Sequence, residues 1–387
     1  MKKIIRLISV IITFGLLLFE LTVLSNTLER KNSAEKYQDF FNEKQDFDVL
    51  FVGSSHMMNG VSPMDIWNDY GITSFNLGGS SYSVPTSYWV LRNALDYHTP
   101  KVVVIDGYLI SSTYKISRNN YSSVHIGLDA FPLSRTKIEA VLDLLNDDKV
   151  EEGIANGEVT VEEKRTPIGL LWDYSVYHSR WDELSEADFV VAHTLNKGTE
   201  DKITIYPHEV PKSDGRVVRD TVAIEYLDRL FAECAERGIE VIFTYLPARD
   251  GYQDEANWIC DYAAGKGVRS INFVSDDIVN PMYDFADEKG HLNLAGARKV
   301  SDYLARDIKE HVQIEDKRNT GDYESWNRDY AEYFDYKIAQ LKAQSDVNLY
   351  FMLLCDTAVS CSIEASAEFI EKYGGIIVFF LRINLLF

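Results

Sequence analysis

Phe47-Asp48-Val49-Leu50-Phe51-Val52-Gly53-Ser54-Ser55-His56 reads as a buried strand that ends in a sharp polar turn. Its apolar residues follow one another without alternation, the pattern of a strand covered on both faces. Gly53 lets the backbone turn sharply, and two hydroxyls and an imidazole follow on the first turn beyond the strand. A helix beginning there would offer amide hydrogens to a developing negative charge. Taken alone, the segment has a simpler reading, a polar turn whose serines cap the next helix.

Outward from this strand, short apolar runs of the same kind recur at Ile72–Asn76, Lys101–Ile105, Ile239–Leu246 and Val268–Val274, and helical patterns lie between most of them. One helix is expected from near Pro85, with Tyr88, Leu91 and Leu95 on one face. Another carries Ile224, Leu227, Phe231 and Cys234 and stops at Gly238. Such alternation predicts an α/β fold, a three-layer α/β/α arrangement around a mostly parallel sheet. Ligands of open sheets bind beyond the carboxyl ends of the strands, so chemistry is expected just after strands.

A second polar signal lies in Asp284-Phe285-Ala286-Asp287-Glu288-Lys289-Gly290-His291-Leu292-Asn293, on the loop entering a helix with Leu294, Ala297, Val300, Leu304 and Ile308. A serine hydroxyl needs a base to take its proton, and the base needs a carboxylate to fix its tautomer and stabilise its cation. Ser55, His291 and Asp287 can supply these parts, with Asp284 and Glu288 competing for the carboxylate role.

On these blocks the chain resembles the SGNH (GDSL-type) hydrolases. Gly53-Ser54-Ser55 is similar to their first block with Ser54 in place of Asp, and Phe75-Asn76-Leu77-Gly78-Gly79-Ser80-Ser81 to their second. His291-Leu292-Asn293 followed by Gly296 is similar to their last, so the likeness spans roughly 48–309. It is strongest to the membrane-anchored, cell-envelope branch, such as the D-alanyl transfer protein of teichoic acid synthesis. The resemblance implies Ser55 as nucleophile, His291 as base, Asp287 as orienting acid, and backbone amides around Ser55, Gly79 and Ser81 as oxyanion donors. It implies an esterase or acyltransferase acting on surface polysaccharide or teichoic acid, with acyl-bearing or acyl-accepting glycan, the membrane and a membrane acyl-delivery protein as partners. Two positions depart from the family pattern. Asp106-Gly107-Tyr108 follows the third strand where the family has an oxyanion Asn, and Glu288 holds the position three before His291. The missing Asn keeps open a non-catalytic glycan-binding or assembly role.

The N-terminus carries Lys2, Lys3 and Arg6 before an apolar run, and Ile4–Leu24 is 21 residues, close to the roughly 20 that cross a bilayer as a helix. No small-x-small cleavage pattern follows in Ser25–Glu29, so an uncleaved anchor is expected, with the rest of the chain extracytoplasmic. The expected organisation is an anchor over 1–26, a stalk over 27–46, a hydrolase domain over 47–312 with an insertion at about 109–220, and a small accessory region over 313–387. Within the insertion, the aromatic run Trp172–Trp181 contains His178 and Arg180, candidates for substrate contact, as is His56 beside the serine, whose simpler reading is a turn histidine held by hydrogen bonds. Strands are expected at Val347–Leu354 and Ser360–Ile363, then a helix ending at Tyr373. With 39 basic and 60 acidic side chains the net charge is −21, which weighs against nucleic acid as a partner. Cys234, Cys260, Cys355 and Cys361 have no metal-type spacing and no phosphate loop is present, so no metal and no cofactor are expected.

Overall fold

The computed structural model describes residues 2–28, 31–116, 122–157, 167–172, 174–189, 194–209, 212–249, 252–275 and 278–343. The strands expected at Val347–Leu354 and Ser360–Ile363, and Cys355 and Cys361, lie outside the described residues. The chain divides into two compact units, Met1–Lys44 with Tyr114–Thr194, and Gln45–Thr113 with Leu195–Phe387.

The second unit is built on a five-stranded, all-parallel sheet of β1 (Val49–Val52), β2 (Ser74–Asn76), β3 (Val102–Asp106), β4 (Glu240–Tyr245) and β5 (Arg269–Asn272), in the order β2-β1-β3-β4-β5. The α/β class read from the alternating runs is the class observed, with strand ends shifted by one or two residues. Every residue of β1 and β3 is buried, as the unbroken apolar runs require. On one face Val49, Phe51, Val102, Val104 and Ile242 pack with Val300, Leu304 and Ile308 of the Leu294–His311 helix. Opposite-parity residues turn the other way, and Phe243 meets Phe231 of the Val222–Glu236 helix with ring centroids 6.3 Å apart.

Local capping explains where the helices begin. The helices Pro63–Tyr70 and Val84–Ala94 follow Ser62 and Ser83, whose hydroxyls accept from Asp65 N and Thr86 N, each with Pro in the first turn. Asn293 caps Leu294–His311 by accepting from Ala295 N and Gly296 N. The Glu324–Ala343 helix packs onto Pro63–Tyr70: Trp326 lies 5.2 Å from Trp67, and Lys337 pairs with buried Asp65 at 3.1 Å. This part of the expected accessory region therefore belongs to the sheet's own unit.

In the first unit the Lys2–Leu28 helix carries a 24-residue stretch, Lys2–Ser25, with mean hydropathy 2.5 and no buried window, long and apolar enough to cross a membrane. Its far end, Leu28, is fully buried. The Lys31–Asn42 helix, expected as a polar stalk, instead buries Tyr37 and Phe40, with Tyr37 5.1 Å from the Phe131 ring. Two or three aromatics in one turn suffice to dock a helix. Residues 195–220, expected within the insertion, belong to the sheet unit.

Candidate active site

The strand order reverses between β1 and β3, because β2 flanks β1 on one side and β3 on the other. At such a switch point the connections leave in opposite directions and open a crevice beyond the carboxyl ends. Val52 ends β1 there, and Gly53-Ser54 leads into the short Ser55–Gly60 helix. Ser54 caps that helix by accepting from His56 N at 3.2 Å, which sets Ser55 on its first turn. Gly53 is required by close approach: a Cβ there would stand 2.8 Å from Asp106 Cβ on β3.

Ser55 Oγ lies 2.8 Å from His291 Nε2, and His291 Nδ1 lies 2.8 and 3.0 Å from the two Asp287 carboxylate oxygens. An acceptor at Nδ1 fixes the proton there and leaves Nε2 to accept from the serine. Asp287 also accepts from the amides of Lys289 and His291 at 3.1 and 3.3 Å, and Lys202 Nζ stands 3.7 Å away. Burial pushes the Asp287 pKa up, but the hydrogen bonds and charge of His291 outweigh it and leave the group below its ordinary value. Glu288 is exposed, and Asp284 is fully buried against Lys299 at 2.9 Å. Of the three acids, the geometry joins Asp287 to His291. Gly290, at φ +81, lets the loop turn where a side chain would strike Arg249 N.

The other expected site residues divide. The Gly79 amide donates to Gly53 O at 3.1 Å, so it is committed to the turn and not offered to an oxyanion. Ser81 takes a left-handed conformation at φ +58 beside it. The Ser55 amide, at the helix start, donates to no protein acceptor among the described residues. His178 and Arg180 belong to the other unit, where His178 Nδ1 meets Ser175 O at 3.2 Å and Arg180 pairs with Asp188 at 3.0 Å.

His56, read as a turn histidine held by hydrogen bonds, is buried with no hydrogen-bond partner of normal geometry at either ring nitrogen. It stacks on Tyr108 at 3.5 Å and lies 4.8 Å from the His291 ring. Burial first, then the charges of His291 and Arg249, push its pKa well below 6.5, against the Lys289 backbone and Asp287. His56 is therefore neutral near pH 7. Tyr252 adds a second ring 5.1 Å from Tyr108.

Sequence reading passed over Asp106 except as the place of a missing Asn. Its carboxylate accepts from Leu246 N at 3.1 Å and lies 3.5 Å from Ser54 Oγ. Burial drives its pKa up to about 7, against those bonds and one from the Tyr108 amide. A single acid closing the apolar run Val102-Val103-Val104-Ile105 was the available signal.

No family model matches the chain, and no curated protein does. Among solved structures it is similar to a crystal structure, at 2.00 Å resolution, of a protein from Bacteroides fragilis NCTC 9343 provisionally described as an acylhydrolase. The TM-score is 0.36 and the identity 12%, over 74% of this chain and 100% of that one. A likeness at that level carries no argument about activity.

Proposed function

We propose that the protein is a serine-dependent acyl esterase or acyltransferase acting outside the cell on surface polysaccharide or teichoic acid. The observation that carries this reading is the unbroken hydrogen-bond chain from Ser55 Oγ through His291 to Asp287 at the switch point of the sheet. In this reading Ser55 Oγ attacks an ester carbonyl, its proton passes to His291 Nε2, and the Asp287 carboxylate stabilises the resulting imidazolium. The Ser55 amide holds the oxyanion, and His291 returns the proton to the departing alcohol. The acyl-enzyme then passes its acyl group to water or to a glycan hydroxyl. The Lys2–Ser25 stretch supports a membrane anchor, and the same reading takes an acyl-delivery protein in the membrane as partner.

A non-catalytic glycan-binding or assembly role is favoured by two features, the commitment of the Gly79 amide and Asp106-Gly107-Tyr108, without an Asn, after β3. Turnover of p-nitrophenyl acetate by the detergent-solubilised full chain separates the two. The enzyme reading expects turnover that Ser55→Ala abolishes and that a glycan hydroxyl acceptor accelerates or leaves hydrolytic; the binding reading expects no difference between wild type and Ser55→Ala.

A further inference from the structure

The serine and its base lie 236 positions apart in the sequence, yet one stretch of chain is bonded to the elements carrying both. Near its start, Thr199 Oγ1 donates to Val61 O at 2.7 Å, Glu200 N to Met58 O at 3.1 Å, and Asn59 Nδ2 to Glu200 O at 2.7 Å. These three bonds hold the Ser55–Gly60 helix and the residue after it. Further along, Thr204 Oγ1 donates to Ala286 O at 2.6 Å, Tyr206 N to Phe285 O at 2.8 Å, and His208 N to Pro281 O at 2.8 Å. His208 Nε2 then meets the Asp287 carbonyl at 2.7 Å, its ring set edge-on to Phe285 at 4.9 Å. A carbonyl only accepts, so Nε2 carries a proton. The loop held in this way closes on itself through Ala286 N to His291 O at 2.7 Å.

We propose, resting on the catalytic reading above, that residues 199–208 are a positioning strap for the Ser55–His291–Asp287 chain, with His208 and Thr204 fixing the loop that aims Asp287. A nucleophile and base on separate elements must keep their separation to a fraction of an ångström for proton transfer. Bonds from one short segment to both elements reduce their relative freedom. His208 touches backbone, the Phe285 and Tyr206 rings and no reacting atom, which makes it a positioning residue. Nothing in its local sequence pattern marks it.

The test uses the full chain in detergent, with His208→Phe, His208→Gln and Thr204→Val. Two quantities are read: kcat and KM for p-nitrophenyl acetate, and the low-field proton resonance of His291 Nδ1–H on Asp287. His208→Phe and Thr204→Val are expected to lower kcat by about tenfold or more at nearly unchanged KM. They should also shift or broaden the resonance, while His208→Gln, which keeps a donor, restores most of both. The strap is overturned if His208→Phe or Thr204→Val keeps kcat within about twofold of wild type with the resonance unmoved, or if His208→Gln loses as much as His208→Phe. Should His208→Phe fail to fold, Thr204→Val decides. Should wild type turn over no ester, the catalytic reading falls, and the resonance still decides the strap.

Discussion

Ser55 Oγ and His291 Nε2 stand 2.8 Å apart although 236 residues separate them in the chain. Two side chains so placed owe their meeting to the sheet: β1 ends under one, and the loop before the Leu294–His311 helix carries the other. Acyl transfer by Ser55 requires proton transfer across that contact.

Asp287 and Glu288 are neighbours with opposite surroundings, one bonded to His291 and one exposed. Asp287→Asn is expected to lower kcat by roughly a thousandfold or more, because the imidazole loses the acceptor that fixes its tautomer. Glu288→Gln should stay within about threefold of wild type. Steady-state ester hydrolysis of the two variants checks this, and the reverse ranking contradicts it.

His56 is buried and neutral, with its folded pKa below the unfolded value of 6.5. The unfolded chain therefore binds the proton first as pH falls, so stability is complete above about pH 6.5 and declines on acidification. His56→Phe removes the group and keeps a ring against Tyr108. Thermal melts from pH 7.5 to 5 should show a shallower decline for the variant. Parallel curves would show that His56 is not the buried base described.

Asp106 shifts in the opposite direction, from 3.8 to about 7. A raised folded pKa means that its contribution is complete below the unfolded value and is lost as pH rises through about 7. Asp106→Asn retains an acceptor for Leu246 N and carries no charge. It is expected to be more stable than wild type at pH 8, by on the order of 1–3 kcal/mol, and to lose that advantage toward pH 4. Denaturant titrations at the two pH values provide the comparison.

The Lys2–Ser25 stretch exposes its apolar side chains. The intact chain is expected to stay in the membrane fraction through alkaline carbonate and to leave it in detergent. Intact mass that retains Lys2–Ser25 supports an anchor, and a mass lacking it identifies a removed signal segment.

The fold class was legible because fully buried strands and helix boundaries have local signatures, as in Val49–Val52 and in Pro85 in the first turn of Val84–Ala94. Both halves of the candidate site were legible for the same reason, each lying at an element boundary marked by Gly, Ser, Asp or Asn. What sequence did not give was anything set by through-space neighbours. The strand order depends on which edges pair. The docking of Lys31–Asn42 depends on Tyr37 and Phe41 finding Phe131, 90 positions beyond Phe41 in the chain. The pKa of Asp106 depends on burial under Gly53, and the part played by His208 depends on a carbonyl 79 residues away.

The most direct measurement is covalent labelling of the detergent-solubilised full chain with a fluorophosphonate probe, comparing wild type, Ser55→Ala, Ser54→Ala and His291→Ala, with the labelled peptide identified by mass. The account expects the probe on Ser55 in wild type and in Ser54→Ala, and none in Ser55→Ala or His291→Ala. An unlabelled wild type, beside a serine hydrolase that labels in the same buffer, contradicts it.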